Sequence, residues 1–465
     1  MRLASLLLCL AVASPAIAQD QTTIPEAALE TAAQLREQAL ADDTSWRVTE
    51  SLTTEIGPRL PGSEADARAV AWAEAKFRAL GFDRVWTEPV TFPRWVRNSE
   101  SARVVGAHAQ PLVVTALGGS PGGDVEAEIV RFADFAALEA APDGSLAGRI
   151  AFMDFQMERT ADGSGYGDAG PVRSRGPSVA SSKGAVGYLM RSLGTSHARV
   201  ANTGITRFAE GVEPIPAAAL SLPDADQLNR LLERGPVTVS LSLDVGFDGE
   251  YTSHNVIGEI TGSGGSDEFV VIASHLDSWD LGTGAIDDAS GVGITMAAGH
   301  LIGQLEQRPR RSIRVIAFAN EEQGLIGARQ YAQRHADHIG LHLLAAESDF
   351  GAGRIYGFNT GAPEHARAAT RQIAQALAPL GIEHMDDQGG PGPDIIPMVQ
   401  AGVTWAWLGQ DGTQYFDLHH NANDTLDKVD PQDLAQNTAA YVVLAYLAAE
   451  AEGDFGSAPR AGDDR

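Results

Sequence analysis

From residue 237 onward, short apolar runs alternate with stretches whose apolar positions recur at helical spacing, a pattern that predicts an α/β architecture. The runs cover residues 237–245, 269–273, 313–319, 341–346 and 404–408, and the helices between them begin near Ser290, Gly324, Pro363 and Pro431. The last start is the best marked, with Asp430 as side-chain cap and Pro431 at the first helical position, where no N–H is needed. Nearer the N-terminus an amphipathic helix is expected over residues 26–40. A second opens at the N-cap Ser63, turns Val70, Phe77 and Leu80 to one face, and stops at Gly81. Extended segments are expected at 84–91 and 102–105. Residues 111–236 break this rhythm. They are rich in Gly, Pro and Ser, with short strands such as Ile150-Ala-Phe-Met153, and are expected to form an inserted unit.

Composition narrows the classes. The chain has 465 residues, 44% of them hydrophobic, which is ample for a large core and for roughly two or three domains. A formal net charge of −27 argues against nucleic acid or an anionic membrane as partner. Residues 1–18 read as a signal peptide: Arg2, an apolar core over residues 3–12, then the small-residue site Ala16-Ile-Ala18. That core is too short to span a bilayer. The single cysteine, Cys9, lies within it, so the mature chain is expected to be periplasmic or secreted, free of disulfides and unattached to membrane. The expected division is a signal peptide (1–18), one catalytic domain in two parts (19–110 and 237–455) around the insert (111–236), and a loose tail (456–465).

Acids and histidines gather just past the apolar runs, where an open α/β sheet builds its binding crevice. In order they are His275 and Asp277, Asp287-Asp288, Asn320-Glu321-Glu322, Glu347-Ser348-Asp349 and His419-His420. Imidazole nitrogen and carboxylate oxygen suit a borderline divalent ion such as zinc. Two such ions ~3.5–4 Å apart need a carboxylate between them. Asp287 can bridge, His275 and Asp349 can complete one ion, and Glu322 and His420 the other. Glu321 then stands beside a ligand yet free of metal, the position of a general base. Asp277, two residues along the strand from His275, can hold the other imidazole N–H. Taken singly, each pair reads as a solvated turn. Their joint occurrence at successive strand ends carries the functional reading.

The pieces His275-Leu-Asp-Ser-Trp-Asp280, Gly284-Ala-Ile-Asp-Asp288, Asn320-Glu-Glu-Gln-Gly324, Glu347-Ser-Asp349 and His420-Asn-Ala-Asn-Asp-Thr425 resemble the motifs of di-zinc exopeptidases of the aminopeptidase and glutamate carboxypeptidase type. The resemblance also covers Gly57-Pro-Arg-Leu-Pro-Gly-Ser63 and the run from Gln400 to His420. It spans most of the chain after residue 18 and is weakest in the insert. It implies an α/β/α sandwich zinc-exopeptidase domain with a mixed sheet, interrupted by a protease-associated (PA-like) domain that roofs the active site. The insert's own likeness to such a domain lies at Gly148-Arg-Ile-Ala-Phe152 and Ser182-Lys-Gly-Ala-Val-Gly187. The resemblance also implies His275, Asp287, Glu322, Asp349 and His420 as ligands of two Zn2+, with Mn2+ or Co2+ also accepted by such donors. Glu321 is implied as the base, His420 is preferred to His419 by its spacing to Asp424-Thr425, and a cis peptide is implied after Asp287. Tyr415 and His419 are candidate substrate contacts, by proximity to His420. The expected reaction is hydrolysis of unblocked dipeptides or short peptides by a water between the metals, and a homodimer is implied for assembly.

Rival readings are weaker. Gly118-Gly-Ser-Pro-Gly122 matches the serine-hydrolase elbow, but Pro121 has no N–H to give an oxyanion hole. Gly282-Thr-Gly284 is not followed by the third glycine of a dinucleotide fingerprint, and no Walker lysine exists. An aminopeptidase acting on longer peptides is the alternative within the same class. A single-zinc cyclase of this fold is disfavoured by the full ligand set, and a metal-binding scaffold without catalysis by the retained base.

Overall fold

The computed structural model describes residues 21–456. The expected signal peptide and residues 457–465 of the expected tail lie outside them. The structure is a mixed α/β fold built on a large mixed sheet. Next to one edge of it, Phe269–His275 runs parallel to Ser312–Phe318 on one side and to the edge strand His342–Glu347 on the other. Every residue of Phe269–His275 is buried, as expected of a strand covered on both faces. The two faces separate by parity: Val270 and Ile272 pack with Ile294, Met296 and Tyr441, whereas Phe269, Val271 and Ala273 pack with Phe318, Ala328 and Tyr331. The helices Ser290–Gly303 and Pro431–Glu450 are nearly all buried, so they are apolar on every side rather than amphipathic. The caps read from sequence are present: Ser63 accepts from the Asp66 amide and Asp430 from the Gln432 amide.

Three expectations change. The segments at 84–91 and 102–105 are one strand, Arg84–Val104, paired antiparallel with Thr238–Ile260 and irregular between Pro93 and Trp95 and between Arg97 and Ser99. Those irregularities and the polar stretch that follows hide its continuity in the sequence. The run at 237–245 likewise continues through the polar Asp248–Thr252 region to Ile260, because pairing along the whole of Arg84–Val104 supplies hydrogen bonds that do not depend on apolar side chains. The run at 404–408 touches the main sheet only at its start, where Trp405 makes a single parallel bridge to Ala345. Its strand, Ala406–Gln410, belongs to a separate three-stranded sheet with Ile355–Thr360 and Glu383–His384.

Thr238–Ile260 carries the main sheet beyond the metal-ligand candidates. Its last residues pair with Ser312–Phe318, and its first pair with Gly123–Phe132. From there Ile150–Met153, Gly187–Arg191 and Ala217–Leu220 follow in parallel. These strands have their own apolar packing, but one cluster is shared, because Leu60, Trp95 and Trp279 pack into it. Among the described residues no helix is long and apolar enough to cross a membrane.

Candidate active site

The chemistry-bearing residues sit where the parallel strands end. His275 is the last residue of its strand, and Asp287-Asp288 precede the Ser290–Gly303 helix and are joined by a cis peptide bond. Glu321-Glu322 follow Ser312–Phe318 through Asn320, which has a left-handed backbone (φ 56°). Asp349 follows His342–Glu347, and His419-His420 follow a short turn at Tyr415–Asp417.

The structure brings five of these side chains around one carboxylate. Asp287 Oδ1 lies 2.9 Å from His275 Nε2, which is also 3.3 Å from Asp349 Oδ1. Asp287 Oδ2 lies 3.2 Å from His420 Nε2, which is 2.9 Å from Glu322 Oε2. The two oxygens of Asp287 therefore face two separate donor sets. His419 stands slightly further off, its Nε2 3.6 Å from Asp287 Oδ2, with its ring stacked on His420. Asp287 Oδ2 and Glu322 Oε1 are buried without a hydrogen-bond partner. Lone pairs withdrawn from water in this way are costly unless something else meets them. A divalent ion in each half would do so, and His/carboxylate donors suit it. The residues present fit two such ions.

Electrostatics point the same way. Burial and the neighbouring Asp349 push the Glu321 carboxyl well above the ordinary carboxylate range. Glu322 is raised to about 7 by burial and by Asp287. Burial opposes charge on His275, but Asp349, Asp277 and Asp287 override it and hold the imidazole well above its usual value. Many acids packed this closely cannot all ionise unless cations stand among them.

Asp277 acts mainly on its neighbours' backbone. Its two oxygens accept from the amides of Glu321 (3.1 Å) and Glu322 (3.3 Å), which fixes the turn that carries both glutamates. For His275 Nδ1 the nearer acceptor is the Asp277 carbonyl, 3.1 Å away, with the carboxylate at 3.7 Å. Tyr415 lines the cavity, its ring centroid 4.9 Å from that of His419.

Sequence reasoning missed several supporting residues. Asp424 accepts from three consecutive amides, those of Ala285 (2.7 Å), Ile286 (2.6 Å) and Asp287 (3.2 Å), and so sets the turn presenting Asp287. The fully buried Arg59 donates to the carbonyls of Leu276, Thr283 and Gly284, tying the loop after His275 to the one before Asp287. Asp288 accepts from the His275 amide at 3.1 Å. The segment around residue 200 also takes part: the Thr203 carbonyl is 3.2 Å from His420 Nδ1, and Asn202 donates to the His419 carbonyl. The only sequence signals were Asp424's fixed spacing from His420 and Arg59's place between two prolines.

A cavity of about 870 Å³ opens onto this centre, lined among others by Glu321, Asp349, His419, Tyr415 and Trp407. Residues 255–445 match the family model described as peptidase family M28. A carboxypeptidase Q from Xenopus laevis is 33% identical over 89% of this chain and 87% of its own. The crystal structure of a peptidase M28 precursor from Shewanella amazonensis SB2B superposes with a TM-score of 0.91 at 47% identity, covering 94% of this chain and 100% of that one. A zinc aminopeptidase from Bacillus subtilis shares the fold at 18% identity, with a TM-score of 0.63 over 86% of this chain and 94% of that one. A strand-end centre of histidines and acids, together with likeness running over nearly the whole chain, leads to one conclusion: the chain belongs to peptidase family M28 and is a metallo-exopeptidase.

Proposed function

We propose that this chain is an exported di-zinc exopeptidase that hydrolyses unblocked dipeptides or short peptides. The observation that carries the reading is the division of Asp287 between two donor sets, 2.9 Å from His275 and 3.2 Å from His420. In this reading His275, Asp287 and Asp349 hold one ion, and Asp287, Glu322 and His420 the other, with manganese or cobalt also compatible with these donors. When bound, such ions polarise the scissile carbonyl as Lewis acids and make water a stronger acid. Glu321, buried beside Asp349, is the carboxyl placed to act as the base. Glu321 then takes a proton from the attacking water and later delivers it to the leaving amine nitrogen. Tyr415, kept protonated by burial, and His419 are the proposed substrate contacts.

Residues 111–236 are proposed to form a protease-associated domain roofing the site, supported by the Thr203 contact to His420. Export to the periplasm or beyond rests on the pattern of residues 1–18, and a homodimer is proposed for assembly. An aminopeptidase acting on longer peptides is the second reading. It is favoured by the cavity's volume of about 870 Å³, which is generous for a dipeptide.

The test is Glu321→Gln. Turnover of free dipeptides should fall on the order of 10²–10⁴-fold while bound metal is retained. Near-normal turnover with metals in place would reject the mechanism.

A further inference from the structure

One guanidinium outside the centre reaches two of the segments that frame it. Arg97, on the strand Arg84–Val104, has a side chain only 7% exposed. Its Nε donates to both oxygens of Asp280, each at 3.1 Å, in the loop that follows His275. Its Nη1 donates to Glu100 (2.7 Å), to the Thr115 hydroxyl (2.6 Å) and to the Ala116 carbonyl (3.2 Å). Its Nη2 donates to the Thr203 hydroxyl at 3.3 Å, and that hydroxyl donates in turn to the Ala116 carbonyl at 2.7 Å. The Thr203 side chain is thereby held from both sides.

Thr203 directs both of its backbone groups at His420. Its amide donates to the His420 carbonyl at 2.9 Å, and its carbonyl stands 3.2 Å from His420 Nδ1. A carbonyl there can only accept, so it favours the proton on Nδ1 and leaves the Nε2 lone pair facing Glu322 and Asp287. His420 needs such holding, because its φ of 60° is a left-handed conformation that is costly for a residue with a side chain. A second path from Arg97 reaches the same ring. The guanidinium lies over Trp95 at 5.2 Å, Trp95 meets Trp279 edge-on at 6.2 Å, and Trp279 meets His420 at 5.8 Å. The glycine-rich turn at 118–122 seats this path. Trp95 Nε1 donates to the Ser120 carbonyl at 2.9 Å, and an added Cβ at Gly118 would collide with the Trp279 ring. An arginine serving only to fasten its own strand would need neither Thr203 nor a pair of tryptophans ending at a metal-ligand candidate.

We propose that Arg97 is a positioning residue for His420, acting through Thr203 and through Trp95 and Trp279. This rests on the two-ion reading above and deepens it. His275 ends a buried strand and takes its support from Asp277 and Asp288, so loss of Arg97 falls on the half of the centre formed by Glu322 and His420. Only a planar fork reaches Asp280, Glu100 and Thr203 together, so lysine is no substitute.

The experiment measures both zinc affinities of the full chain by equilibrium competition with a chromophoric chelator, in wild type, Arg97→Gln, Arg97→Lys and Thr203→Val. The visible absorption of the cobalt-loaded proteins is recorded beside them. Arg97→Gln and Arg97→Lys should each weaken one ion about 10-fold and leave the other within about twofold. The cobalt spectrum should shift, because ligand geometry changes while the ligand set does not. Thr203→Val cuts the same link without removing a charge and should weaken the same ion, which keeps the test open if the Arg97 variants fold poorly. In His420→Ala protein, Arg97→Gln should change the affinity of the remaining ion by less than about twofold. Unchanged affinities and spectrum, or full rescue by lysine, overturn the positioning role and leave the two-ion reading intact. Equal weakening of both ions, or a further loss in the His420→Ala background, overturns it as well, since Arg97 would then support the fold at large. A wild type that binds fewer than two ions overturns the two-ion reading and this role with it.

Discussion

Three backbone amides converge on Asp424, and through them this one carboxylate holds Asp287 between the two donor sets. Asp424 is itself raised to about 7 by burial and by the charge of Asp287, so its role depends on those amides. Groups that orient metal ligands commonly change affinity when removed. Asp424→Ala should therefore weaken zinc binding about 10- to 100-fold, measured by competition with a chromophoric chelator at equilibrium. An unchanged affinity would mean that the turn holds its shape without it. The direct donors were legible in the sequence because each is a strong chemical type placed just past an apolar run. Asp424 and Arg59 were not, because their partners are backbone atoms of distant loops, which leave no pattern in side-chain identity. Thr203 was less legible still: it contributes only a carbonyl, which every residue has.

At the scale of elements, the buried parallel strands were readable because strands covered on both faces need unbroken apolar runs. The long Arg84–Val104 and Thr238–Ile260 pair was not, since much of its length is polar and held by ladder hydrogen bonds. Apolar content alone also could not tell that Ala406–Gln410 pairs away from the main sheet. One consequence at this scale concerns His342, the first residue of the His342–Glu347 strand, which meets the Tyr331 hydroxyl at 3.0 Å. Burial, with Arg314 and His335 nearby, depresses it to about 3. Its folded value thus lies below the ~6.5 of the unfolded chain, and its contribution to stability is full above that pH. The contribution is lost as pH falls from about 6.5 toward 3. Between pH 7.5 and 5 the loss from this group is about 2 kcal/mol. His342→Gln should flatten the stability profile by about that amount in denaturant titrations. A slope as steep as wild type would show that His342 does not titrate in this way.

For the whole molecule, the sheet runs on from the strand ends that carry the site into the strands between Gly123 and Leu220, and the same region returns through Thr203 to His420. The site and the 111–236 segment are therefore joined both through the sheet and through this contact. A chain of net charge −27 whose buried acids crowd one centre should be less stable without cations there. Chelation should lower the unfolding temperature by several degrees, and zinc should restore it. A site filled at 100 times its dissociation constant contributes about 2.7 kcal/mol. A melting curve indifferent to chelator would deny that stabilisation. Turnover against metal content tests most directly whether Asp287 joins two ions that act together. Stripped protein titrated with zinc should gain activity until two ions per chain are bound, with Glu321→Gln binding both yet remaining inactive. Full activity at one ion per chain, or in chelated protein, would contradict it.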